Sequence, residues 1–273
     1  MQASDFKHFR DIFIGDLDHL GFQRFLPHAA LQPWVQCYWI MHAQLPSTGF
    51  TETVYPDGGT SINFYFNTEQ EPQLIFSATQ VTRSLHLGGP QNCLGIRFRP
   101  GGVYHLLRLA MPDWIGGEYS AADLGPHPVC ELQKRLGDLV TMQQRIDLVE
   151  QWLLQRVAQL SVQPGLLQHL LPQLIQHQSS IEALCDWAAM SRRNLERKFY
   201  LEAGLTPSQI KQFNRVKLAR KLISGQPSLP LVDVAQQAGF YDQAHFNRQF
   251  QRLTGMTPGQ YRRKKMSQKY NPS

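Results

Sequence analysis

No stretch of the 273 residues runs through apolar side chains for anything near the roughly 18 to 20 that a membrane helix requires. The first 18 residues hold four acids, where a secretory signal would begin with basic residues and an apolar core. The chain is therefore expected in the cytoplasm, away from membranes. Cysteines are few, and Cys37, Cys93, Cys130 and Cys185 stand far apart with no C-x-x-C pair, which removes the usual zinc-knuckle and redox signatures. The ten histidines include no H-x-H pair, so a cupin-like metal site is not expected either. With no metal, cofactor or catalytic constellation to read, the expectation is a protein that is not an enzyme. Low-complexity tracts are missing too, and 42% hydrophobic against 18% charged residues is the balance of a chain that folds.

Acidic residues are scarce in one part of the chain only. Residues 165–273 hold sixteen Lys and Arg against six Asp and Glu, about +10, whereas the first 164 residues hold eleven against fifteen, about −4. A basic module joined to a mildly acidic one is the electrostatic footprint of a protein in which one domain meets phosphate. Length favours two domains, each able to bury a core. The S-V-Q-P-G stretch at 161–165 reads as the linker, dividing the chain into 1–163 and 164–273.

The first part shows short β-type runs at 34–41, 60–66, 73–76, 84–87 and 93–98, separated by P-D-G-G, G-G-P and P-G-G turns. In the second of these, Ile62, Phe64 and Phe66 alternate with Asn63 and Tyr65, as a half-buried strand requires. A small antiparallel β-barrel is expected, followed by helices. Trp34, Tyr38, Trp39, Phe64, Phe66 and Phe76 are read as its core, with an apolar effector pocket as the alternative. Over 131–160, Leu132, Leu136, Leu139, Ile146, Leu153, Val157 and Leu160 fall at helical spacings, a stripe suited to the barrel or to a second copy of the chain.

The second part carries an internal repeat. At an offset of 51 positions Arg197, Phe199, Gly204, Thr206, Pro207 and Gln209 recur as Arg248, Phe250, Gly255, Thr257, Pro258 and Gln260. Each unit reads as helix, turn, helix. In the first, Ser179 and Glu182 suggest a capping box, Ala189 and Met190 a turn, and Ser191 the N-cap of the next helix. In the second, Gly239 and Phe240 make the turn and the following helix opens near Asp242. Thr206 and Pro207 start a linker helix running to Ser224, while Pro172 points to a helix beginning there. The fold class is thus α+β with two domains, the C-terminal one all-α with two helix-turn-helix units joined by a linker helix.

A helix-turn-helix sets its second helix in the major groove, where Arg pairs with guanine and Gln or Asn with adenine. The stretches L-C-D-W-A-A-M-S-R-R-N-L-E-R-K-F-Y-L-E-A-G from Leu184 and V-A-Q-Q-A-G-F-Y-D-Q-A-H-F-N-R-Q-F-Q-R-L-T-G-M-T-P-G-Q-Y-R from Val234 resemble the AraC/XylS family of transcription regulators. Y-P-D-G-G from Tyr55 and G-I-R-F-R-P-G-G from Gly95 are similar to the β-barrel sensor domain of some members. The resemblance implies a regulator of transcription, an activator in the leading reading, binding promoter DNA through Arg192, Arg193, Glu196 and Arg197 of one helix and Gln243, His245, Asn247 and Arg248 of the other. It also implies RNA polymerase as a partner and a small molecule or protein as effector at the N-terminal domain, with a homodimer in view. Two alternatives stand beside it: an architectural DNA binder of weak preference, or a DNA-repair regulator lacking its cysteine-zinc acceptor site.

Overall fold

A computed structural model describes residues 22–66, 71–78, 80–176 and 179–270. The acidic 1–18 segment lies outside the described residues. Among the described residues no helix is long and apolar enough to cross a membrane.

Among the described residues the N-terminal domain has eight strands: β1 (Phe22–Phe25), β2 (Val35–Gln44), β3 (Phe50–Val54), β4 (Thr60–Tyr65), β5 (Gln73–Ser77), β6 (Arg83–Leu87), β7 (Pro90–Phe98) and β8 (Glu118–Ser120). Six form one antiparallel sheet in the order β1-β2-β7-β4-β5-β8, and among the described strands β3 pairs with β6 alone. The expected barrel is therefore corrected to an open sheet with a separate two-stranded ribbon. The reason lies in the strand lengths and pairing. The sheet ends in strands of four and three residues, and β3 and β6 use their ladder on each other. Side chains make the join instead: Leu87 of β6 packs with Trp39, Met41 and Cys93 of the sheet.

Alternation along β2 feeds both faces. Tyr38 and Ile40 enter the main core, while Trp39 and Met41 enter the smaller cluster under β6. The main core is closed by α1 (Gly102–Leu107), α3 (Pro128–Gly137) and α4 (Met142–Gln159), with the short α2 (Ala121–Leu124) leading in. The leucine stripe over 131–160 is thus two helices. Asp138 ends α3, and Thr141 starts α4 with a capping box to Gln144 that breaks the run at Leu139. Leu132, Leu136, Ile146 and Leu153 are buried on the sheet, so core packing accounts for them. The aromatic set is core as well, with Phe66 partly buried at its margin.

The C-terminal domain has seven helices among the described residues: α5 (Leu166–Ile175), α6 (Ile181–Ala188), α7 (Arg192–Ala203), α8 (Pro207–Gly225), α9 (Leu231–Gln237), α10 (Gln243–Thr254) and α11 (Pro258–Tyr270). Pro172 lies inside α5 rather than at its start. A proline there removes one backbone donor, and burial of Leu167, Leu170, Leu171 and Leu174 on one face keeps the helix continuous across it. One core serves both repeat units, with Leu195 and Phe199 from α7, Phe246 and Phe250 from α10, and Ile210, Phe213 and Val216 from α8 between them.

Tyr55, at the end of the β3 ribbon, belongs to this second core and not to the first. The Arg220 guanidinium lies 3.8 Å over its ring, and Tyr261 of α11 meets it edge-on at 6.1 Å. The turn that follows is held by Asp57, which accepts from the Gly59 N–H at 3.1 Å and pairs with Arg97 of β7. Burial pulls the Arg97 pKa down to about 10, which leaves it charged at neutral pH. The two domains therefore interlock through a turn whose acid is paired by β7, the neighbour of the strand that follows it.

Candidate nucleic-acid interface

Each unit begins with a helix ended by a residue in the left-handed region, Ala189 (φ 50°) or Gly239 (φ 79°), which reverses the chain into the next helix. Serine 191 and aspartate 242 cap those helices. The Ser191 hydroxyl accepts from the Asn194 N–H at 3.4 Å, and the Asp242 carboxylate from the His245 N–H at 2.6 Å. The cap of α6 is Ser180, not Ser179: its hydroxyl accepts from the Ala183 N–H at 3.1 Å. Glu182 is left to meet Arg192 across the turn at 3.7 Å. Thr206 caps α8 with a reciprocal bond from Gln209, and Thr257 and Gln260 repeat that arrangement one unit later.

Leucine 195 and phenylalanines 199, 246 and 250 are fully buried, which turns the other faces of α7 and α10 outward. On α7, Arg192, Arg193 and Arg197 are exposed and Glu196 is half-buried. On α10, Gln243, Asn247 and Arg248 are exposed and His245 is half-buried, its ring edge-on to Phe240 at 5.7 Å. The eight residues singled out from the sequence thus fall on the outer parts of the two second helices, four on each.

They are not chemically equivalent. The Arg192 Nε donates to Glu196 Oε1 at 2.9 Å, and with Glu182 also near, this guanidinium is held in its charged form. At the corresponding places of α10 stand the neutral amides Gln243 and Asn247. Among the described residues nothing pairs with Arg193, Arg197 or Arg248. The outward face of α7 carries a part-neutralised cluster, that of α10 one free cation flanked by amides.

Several other basic residues are engaged by the protein's own groups. The Lys211 ammonium donates to Ser179 O at 2.8 Å, Arg215 lies over the Phe240 ring at 6.0 Å, and Arg252 donates to Gln212 at 2.6 Å. Desolvation lowers the pKa of both Lys211 and Arg215. Lys264 reaches Thr53 of β3 at 3.4 Å. Several of the cations behind the +10 are thus already engaged by the protein itself.

Sequence reasoning passed over Tyr241, which is 94% exposed beside the N-cap of α10. An aromatic ring at a helix start, outside any apolar period, is the signal that was available. It also passed over the back of the interface. Buried Glu202 near the end of α7 accepts from His105 of α1 at 3.0 Å and from Lys198 at 2.8 Å. Burial works against its ionisation, but these two bonds outweigh it and hold the carboxyl below its ordinary pKa.

Two family models match the chain. Residues 184–264 match a helix-turn-helix domain, and residues 23–119 match a domain of unknown function, DUF6597. The RCS-specific HTH-type transcriptional activator RclR of Escherichia coli is 33% identical over 86 residues, 32% of this chain and 30% of that protein. The HTH-type transcriptional activator RhaR of Salmonella arizonae is 34% identical over 83 residues, 30% of this chain and 29% of that protein. The chain thus spans less than a third of the length of these two curated relatives. Among solved structures, a transcriptional regulator with an AraC-type DNA-binding domain from Chromobacterium violaceum is 28% identical, covers 35% of this chain and 80% of its own, and superposes with a TM-score of 0.30.

Proposed function

From the premise that this chain belongs to the AraC/XylS type of helix-turn-helix transcription regulator, we propose that α7 and α10 read one DNA site together, entering successive major grooves on one face of the duplex. The observation that carries this is the repeat itself. Two capped, outward-facing helices 51 positions apart share one core through α8, so neither can be aimed without the other. Successive major grooves on one face lie about 34 Å apart, and two unlike reading faces call for an asymmetric target.

In this reading Gln243, Asn247 and Arg248 supply base contacts, and Arg193 and Arg197 supply base or phosphate contacts. Arg192 and Glu196 act as a unit, with the carboxylate orienting the guanidinium. Tyr241, at the mouth of α10, contacts the backbone. RclR and RhaR are named activators, which favours raised over lowered transcription and RNA polymerase as the protein partner. The N-terminal domain takes the effector or partner, and self-association is assigned to it as well.

Selecting sites from a random duplex pool with the full chain tests the core of this. The expected product is a bipartite, non-palindromic sequence whose halves are about one helical turn apart. Equal affinity for all duplexes across a salt series would instead mark an architectural binder.

A further inference from the structure

Gln80 and Thr82, ahead of β6, touch both repeat units near the C-terminal ends of their second helices. Gln80 Nε2 donates to the carbonyl of Gly204, the C-cap of α7, at 3.0 Å. Two residues on, the Thr82 hydroxyl donates to the carbonyl of Leu253 in the last turn of α10, whose C-cap is Gly255. Gly204 and Gly255 are equivalent positions of the repeat. Carbonyls in the last turn of a helix have no partner within it, so each bond fills a vacant acceptor at the end opposite the reading residues.

Around this segment the N-terminal domain holds the same two units again. His105 binds Glu202 on the α7 side, while Tyr55 meets Tyr261 and Thr53 meets Lys264 on the α11 side. The turn at Gly58 (φ +82°) lies so near α8 that a Cβ there would be 3.3 Å from Leu205 and 3.6 Å from Phe213.

We infer that Gln80 and Thr82 form a strut that sets the spacing of the two reading helices, so that the N-terminal domain helps determine which half-site separation the protein accepts. The residues are positioning residues: they act at the far ends of α7 and α10 and leave the outward faces untouched. This rests on the two-groove reading above. A strut has a signature that ordinary domain packing lacks. Removing it broadens tolerance for the distance between half-sites without changing the affinity for either half alone.

The test uses the full chain and the bipartite duplex obtained by selection. Versions with one or two base pairs inserted or deleted between the halves, and each half alone, are titrated by fluorescence anisotropy. The wild type is expected to favour its own spacing. In Gln80→Ala/Thr82→Val that preference is expected to fall by roughly tenfold, the worth of two lost hydrogen bonds, with half-site affinity within about twofold of wild type on the same scale. Thr82→Ser keeps the hydroxyl and is expected to retain the wild-type profile. Should the double variant melt below the assay temperature, Thr82→Val against Thr82→Ser carries the comparison. An unchanged spacing profile, or an equal loss on half-sites and full site, overturns the strut while the two-groove reading stands. A wild type that binds the bipartite duplex no more tightly than one half alone overturns both.

Discussion

The two helix-turn-helix units follow one plan and differ in what stands behind and in front of it. Behind the first, Gly204 ends α7 against the N-terminal domain, where an added Cβ would lie 2.7 Å from Ile115; behind the second, the equivalent Gly255 has open space. Glu202 is a buried, twice-bonded carboxylate in the first unit, and its counterpart in the second is Leu253. In front, the first presents the paired Arg192 and Glu196 where the second presents Gln243 and Asn247. The repeat thus keeps what packs and varies what touches another body. The first unit is the one fastened to the N-terminal domain by a buried carboxylate and close packing, and the second is the less encumbered.

If the shared interior is the common part, it should respond alike on both sides. Phe199→Ala and Phe250→Ala remove equivalent, fully buried rings, and each is expected to cost about 3 to 5 kcal/mol in urea unfolding. A difference larger than that range would mean that the units do not share one core. The glycines then separate the two. Both have φ near +70°, so alanine at either position carries strain of about 1 kcal/mol. Gly204→Ala adds the clash with Ile115 and should lose a further 1 to 3 kcal/mol or so. Equal losses would show that the first unit is not packed on its neighbour in solution.

On DNA the asymmetry is expected to reverse. Arg248→Ala removes a free cation and should weaken the selected site by about 1 to 3 kcal/mol while relaxing preference at one base position. Arg192→Ala removes a guanidinium already engaged by Glu196 and should cost about 1 kcal/mol or less. Titrations in which the two variants lose equally would remove the distinction between a free and an engaged reader.

How much of this was legible in sequence follows the range of the interactions. Caps at Ser191, Thr206 and Asp242 are bonds across three residues, and the sequence prints both partners side by side. With two adjacent serines even that signal slipped by one, because the choice of Ser180 over Ser179 rests on which hydroxyl faces the Ala183 N–H. Five strands were readable from apolar runs. The strands β1, β3 and β8 were not, being short or poor in apolar residues, and the β3 to β6 pairing that leaves the sheet open joins segments some thirty positions apart. The Tyr55 insertion, the Gln80 and Thr82 bonds and the His105 to Glu202 pair span from 97 to 206 positions. No periodicity marks a contact at such distances; Y-P-D-G-G reads simply as a turn.

The bond from His105 to Glu202 that fastens the first unit can be tested through pH. Glu202 is held below the ordinary carboxylate value of 4.5 by His105 and Lys198 despite its burial. A carboxylate whose pKa is depressed by folding adds stability that is fully present above the unfolded value and is lost as pH falls through the folded one. Acid should therefore loosen the contact between α1 and α7 below pH 4.5. Glu202→Gln keeps an acceptor but not the charge, so it is expected to cost about 1 to 2 kcal/mol near neutrality and to make the urea midpoint less sensitive to pH below 4.5. Leu253, which fills the corresponding place in the second unit, has no proton to gain, so Leu253→Met should leave the acid limb as steep as in the wild type. If Glu202→Gln retains the full acid dependence, the His105 to Glu202 bond is not what joins the first unit to its neighbour, and the fastening then lies in the packing of Gly204 on Ile115 and the Gln80 bond to its carbonyl.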